Sequence, residues 1–101
     1  MIDLRNEDCL KVLKELPDSS VDLVVTDPPY RVTARGSGGS MGGYWTSKIA
    51  MSGNIFENND IPCEKYLPEF YRILKDRTHC YIMCNNTNLV EMITTGIECG
   101  F

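Results

Sequence analysis

The residues with the most pronounced chemistry are Asp27-Pro28-Pro29-Tyr30, which follow directly on the apolar, β-branched run Val21–Thr26. In open α/β sheets ligands bind beyond the carboxyl ends of strands, and this tetrapeptide sits at such an end. Two consecutive prolines lack N–H groups and have fixed φ angles, so they form a stiff ledge. A residue before proline is held extended, which constrains Asp27. The ledge presents the Asp27 carboxylate and backbone carbonyls, of which that of Pro28 is best placed. Tyr30 adds a flat aromatic face.

This set suits an aromatic amine such as the exocyclic amino group of adenine. Such an amine is a poor nucleophile because its lone pair is delocalised into the ring. Two acceptors aimed at its two N–H bonds favour a pyramidal nitrogen and direct the lone pair at an electrophile. They also stabilise the positive charge that develops on the nitrogen. A carboxylate is too weak a base to deprotonate an aryl amine outright, so orientation and electrostatics are the role for Asp27. Stacking on Tyr30 is worth about 1–3 kcal/mol. A base within a duplex reaches such a pocket only when flipped out. The same four residues also make an ordinary turn, and the motif alone does not separate the two readings.

The elements that position the ledge are legible from periodicity. Residues 2–4 (IDL) suggest a short strand. Cys9, Val12, Leu13 and Leu16 fall on one face of an amphipathic helix, with Asp8 as its N-cap. Pro17-Asp18-Ser19-Ser20 ends it. Val21–Thr26 reads as a strand buried on both faces of a parallel sheet. Residues 31–55 form a glycine-rich loop carrying Arg31, Arg35, Tyr44, Trp45 and Lys48. Leu67, Phe70, Tyr71 and Leu74 mark a second helix within 63–74, whose Pro68 either distorts the first turns or begins the helix. A third strand is expected at 78–84, a cap at 85–87, and a helix over 89–98 with Leu89, Ile93 and Ile97 on one stripe. Gly100 is its stop. The alternation predicts an α/β fold with a parallel sheet and one domain over 1–101.

Bulk properties narrow the function. The chain has 101 residues, a net charge of −4 and 43% hydrophobic residues, which suits a small globular domain. The acidic balance is the wrong sign for holding nucleic acid by the chain's own field, so most phosphate contacts must come from elsewhere. No apolar run has the length of a membrane span and no secretory signal opens the sequence, so no membrane partner and a cytoplasmic location are expected. The five cysteines, Cys9, Cys63, Cys80, Cys84 and Cys99, are expected reduced. Cys80 and Cys84 with His79 have the residue types of a metal site. However, Cys80, Ile82 and Cys84 alternate with Tyr81 and Met83 as in a strand, so buried cysteines and no metal are expected.

The wider context of the motif carries a resemblance. Glu7-Asp8-Cys9-Leu10, then Leu13, then the run from Leu16 through Leu23, then Thr26-Asp27-Pro28-Pro29-Tyr30, resembles the start of S-adenosylmethionine-dependent DNA amino-methyltransferases. The order is similar to the permuted beta class, in which the catalytic motif precedes the cofactor glycine motif. Residues 66–75 (YLPEFYRILK) are similar to the helix that follows in that family. The resemblance spans the chain except for the glycine-rich loop. It implies a Rossmann-like three-layer α/β/α sheet, incomplete in this chain. It implies that Asp27, Pro28 and Tyr30 bind the target amine with Pro29 shaping the ledge. Asp8, with Cys9 beside it, matches the position that contacts the adenine of the cofactor; a plain helix cap is the alternative, and the two are compatible. Asp27 also approaches the amino-acid end of S-adenosylmethionine. Aspartate at the first motif position favours adenine N6 in DNA over cytosine N4. An RNA amino-methyltransferase is a variant, and a non-catalytic remnant or interaction module is the alternative of another class.

The family's glycine-rich cofactor turn does not occur here. Gly36-Ser37-Gly38-Gly39 follows no apolar strand and precedes no periodic helix. The resemblance therefore implies an N-terminal fragment with open sheet edges, whose partners are DNA with the target base flipped out and the missing C-terminal part or another subunit. Alone, such a fragment is expected to be inactive.

Overall fold

The computed structural model of the chain describes residues 1–29 and 61–101. Tyr30 and the loop expected at about 31–55 lie outside the described residues. Met1–Pro28 and Pro62–Phe101 form one compact unit.

Helix α1 spans Cys9–Glu15. Asp8 starts it: its carboxylate accepts from the Leu10 N–H at 2.9 Å, and its carbonyl accepts from Lys11 and Val12. Leu13 is buried and Val12 and Leu16 are half-buried, whereas Cys9 is exposed. The last turn of any helix leaves carbonyls without intrahelical donors. Here Arg72 supplies them, donating from Nη2 to the Leu13 carbonyl at 2.7 Å and from Nη1 to that of Leu16 at 2.9 Å. Asp18 and Glu69 pair with the same guanidinium, so one side chain ties the end of α1 to the element that carries Arg72.

That element is α2, Leu67–Ile73, entered through a short 3-10 turn at Cys63–Lys65. Pro68 lies in the first turn, where its missing N–H costs nothing, so it begins the helix rather than distorting it. Leu67 and Ile73 are the most completely buried side chains, and Tyr66, Phe70, Leu74, Cys63 and Leu13 complete the core around them. Tyr71, expected on the buried face, is instead half-exposed and meets Phe101 edge-on at 5.3 Å. A seven-residue helix buries a narrow stripe, here Leu67, Phe70 and Ile73, and Tyr71 lies off it.

Strand β1, Val21–Thr26, pairs in parallel with β2, Leu74–Ile82. Val21 lies opposite Leu74, but Leu23 lies opposite His79, so the residues between bulge outward. The bulge is held by Thr78 Oγ1 donating to the Lys75 carbonyl at 2.6 Å and by Lys75 Nζ on Asp22 at 2.7 Å, with Arg77 at φ +60°. This is why the strand pattern in the sequence begins at Thr78 although pairing begins at Leu74.

Helix α3, Asn86–Cys99, starts earlier than expected because the Asn85 side chain caps it, accepting from the Asn88 N–H at 3.0 Å. It ends at Gly100, φ +121°, where Gly100 and Phe101 donate back to Ile97 and Gly96. This is the Schellman closure that glycine favours. The stripe Leu89, Ile93 and Ile97 is at best half-covered, and the buried position of the helix is Gly96. Ile93 and Gly96 line an apolar groove of about 290 Å³ with Leu67, Cys80, Ile82 and Met92.

Two further sequence expectations are corrected. Residues 2–4 form no strand, and Ile2 and Leu4 are exposed; among the described residues only β1 and β2 pair, and a strand without a partner has no ladder to stabilise it. Strand β1 is not buried on both faces. Val24, Thr26, Cys80 and Ile82 face the helices and are half-buried, whereas Leu23, Val25, His79 and Tyr81 point the other way and are exposed. Covering two faces takes helices on both sides, and the described residues cover one.

Candidate functional site

The parallel register brings the carboxyl ends of both strands to one level, with Thr26 opposite Ile82. The Met83 N–H donates to the Thr26 carbonyl at 2.9 Å, the bond that closes this last pair. Asp27 and Met83 are the first residues beyond the paired strands. Its carboxylate is exposed, Pro28 is buried and Pro29 is exposed. A buried proline ring anchors the backbone behind Asp27 while the carboxylate remains open to a ligand. Tyr30 lies outside the described residues.

Asp8 and Cys9 are held separately, by the start of α1, and both are exposed. The capping bond uses Oδ1 of Asp8, which leaves Oδ2 to accept from a ligand donor. Capping and ligand binding are thus compatible at this residue. No hydrogen bond or ion pair joins Asp8 to Asp27. The Tyr66 phenol is pushed well above the ordinary tyrosine range, first by burial and then by Cys63, Cys84, Glu91 and Cys9.

The residues considered for a metal do not converge. The pleat sends His79 to the exposed face, where it stacks on Tyr81 at 6.0 Å, and Cys80 to the helix-covered face. Cys84 donates to the Asn85 carbonyl at 3.2 Å. Desolvation raises the thiols of Cys80, Cys84 and Cys99 above the ordinary range, as for structural cysteines. Among the described residues no group of three His, Cys, Asp or Glu side chains is arranged to hold a metal. No helix among them is long and apolar enough to cross a membrane.

Sequence reading assigned no role to Met83 or Arg72. The alternation of residues 79–83 contained the signal for Met83, because its parity with Tyr81 assigns it to a sheet face. Its neighbour on that face depends on register, which alternation does not supply.

Comparison with known proteins adds one relationship. No protein-family profile and no solved structure matches the chain. It is similar to the type II methyltransferase M.HinfI of Haemophilus influenzae, with 31% identity over 93 residues covering 84% of this chain and 24% of M.HinfI. The chain thus spans about a quarter of the length of that relative. The chain, an α/β unit with a parallel sheet and an exposed aspartate followed by two prolines at a strand end, is thus similar to part of a type II methyltransferase.

Proposed function

We propose that the chain carries the amine-binding half of an S-adenosylmethionine-dependent DNA methyltransferase that modifies adenine N6. The observation that carries this reading is the position of Asp27: exposed, at the carboxyl end of β1, and followed by a buried proline. The similarity to M.HinfI supports it.

In this reading Asp27 and the Pro28 carbonyl accept from the two N–H bonds of a flipped-out adenine amino group, and Tyr30 stacks on the ring. The acceptors turn the nitrogen lone pair outward and stabilise the charge that grows on it. S-adenosylmethionine supplies the electrophilic methyl group. The residues present fit that group: exposed acceptors at Asp8 Oδ2 and Asp27 match the amino groups of its adenine and its amino-acid end. Once the nitrogen carries the methyl group its proton is acidic and leaves to solvent or to Asp27. The acidic chain needs basic phosphate contacts from other polypeptide.

The test uses the complete gene product, DNA and radiolabelled S-adenosylmethionine, followed by nucleoside analysis. N6-methyladenine is expected, and Asp27→Ala is expected to abolish it while leaving the circular dichroism spectrum unchanged. Near-normal methylation by Asp27→Ala would overturn the pocket. N4-methylcytosine would move the target to cytosine. Absence of transfer by the unmodified protein would favour a non-catalytic module, a reading to which the exposed sheet face of Leu23, Val25 and Tyr81 lends itself.

A further inference from the structure

We propose that Met83 is the apolar wall of the amine pocket, packing against the ring of the base whose amino group Asp27 holds. The inference rests on the proposed methyltransferase reading and adds to it a residue that contacts substrate.

The argument starts from register. Thr26 pairs with Ile82, and the Met83 N–H to Thr26 carbonyl bond of 2.9 Å closes this last pair of the ladder. Asp27 and Met83 are the residues that follow the pair, one on each strand. Side chains alternate along a strand, so Asp27 shares a face with Leu23 and Val25, and Met83 shares a face with His79 and Tyr81. Register makes these the same face. Pro28 keeps Asp27 extended, so the alternation holds through it.

Exposure agrees. On this face Val25 is 61% exposed, Tyr81 60% and Met83 58%, and Asp27 is exposed as well. The other side chains at this end of β2 are already used. Cys84 is turned to the opposite face and bonded to the Asn85 carbonyl, and Asn85 caps α3. Met83 is therefore the side chain just beyond β2 that shares a sheet face with the Asp27 carboxylate.

The chemistry suits the position. Methionine is flexible and polarisable, and its sulfur makes favourable contacts with ring edges. It carries no proton and no donor to compete with the amine for Asp27. An apolar group on this side excludes water and strengthens the carboxylate's hold on the developing positive charge.

The test uses the complete gene product with two DNAs: one with 2-aminopurine at the target position, whose fluorescence reports the flipped base, and one with adenine there, on which methyl transfer is measured. Met83→Ala is expected to lower that fluorescence and raise KM for DNA about tenfold, with kcat changed much less. Met83→Leu is expected to restore both. Leu23→Ala, on the same face but away from the strand end, controls for a purely structural effect. If Asp27→Ala is inactive but Met83→Ala matches the parent within twofold, the role of Met83 is refuted and the pocket stands. If Leu23→Ala and Met83→Ala lower activity and thermal midpoint alike, Met83 is structural and the inference also fails. Activity that survives Asp27→Ala removes the pocket and the wall together.

Discussion

Gly96 and Gly100 lie one turn apart at the end of α3, and the same substitution at each should change stability in opposite directions. At Gly96 a Cβ would meet nothing within 4 Å, because the position opens onto the apolar groove. Glycine in a helix interior is about 1 kcal/mol worse than alanine, so Gly96→Ala should stabilise by about that amount. At Gly100 the backbone has φ +121°, a conformation that side chains with a Cβ rarely adopt. Forcing it costs about 1–3 kcal/mol. The new Cβ would also lie 2.6 Å from Cζ of Tyr71. That ring is half-exposed and swings aside, giving up its edge-on contact with Phe101, about 0.5–1.5 kcal/mol. Gly100→Ala should therefore destabilise by about 2–4 kcal/mol. For a domain of this size each kcal/mol moves the thermal midpoint by about 4–8 °C. Urea titration and thermal melts followed by far-UV circular dichroism read both variants against the parent. Shifts of the same sign, or a Gly100→Ala midpoint equal to that of the parent, would refute the reasoning.

Two further outcomes concern the site and its surroundings. Asp8→Asn should preserve the stability of α1, since asparagine caps as well as aspartate, while weakening S-adenosylmethionine binding in calorimetry on the complete gene product; Asp8→Ala should lose both, with about 1 kcal/mol of stability. Equal cofactor affinity in Asp8→Asn and parent would leave Asp8 a cap alone. Alkaline pH should destabilise the fold. The Tyr66 phenol is raised in the folded state, so stability is full below the ordinary tyrosine range near pH 10 and falls above it, where the unfolded chain ionises first. The raised thiols of Cys80, Cys84 and Cys99 act in the same direction from lower pH. Tyr66→Phe should flatten the part of the loss above pH 10 in urea titrations; an unchanged profile would show that Tyr66 ionises freely in the fold.

Local signals in the sequence were sufficient for the elements that frame the site. Strand β1 occupies the expected residues, Asp8 caps α1, Pro68 opens α2, and Gly100 closes α3. Each depends on a few neighbouring residues and on backbone preferences that act within one turn or one pleat. The placement of Asp27 at a strand end followed from the same short-range logic. Other features depend on residues far apart in the chain. Arg72 holds the end of α1 across 56 positions of sequence, and nothing in its own neighbourhood announces this. Residues 2–4 have the composition of a strand but no partner, and composition does not create one. Tyr71 and the stripe of α3 have helical periodicity, yet their burial depends on which neighbour arrives to cover them. The placement of Asp27 and Met83 on one face of the sheet is of this second kind. Alternation assigns each residue to a face, and only the hydrogen-bond register between β1 and β2 determines that the two faces are one.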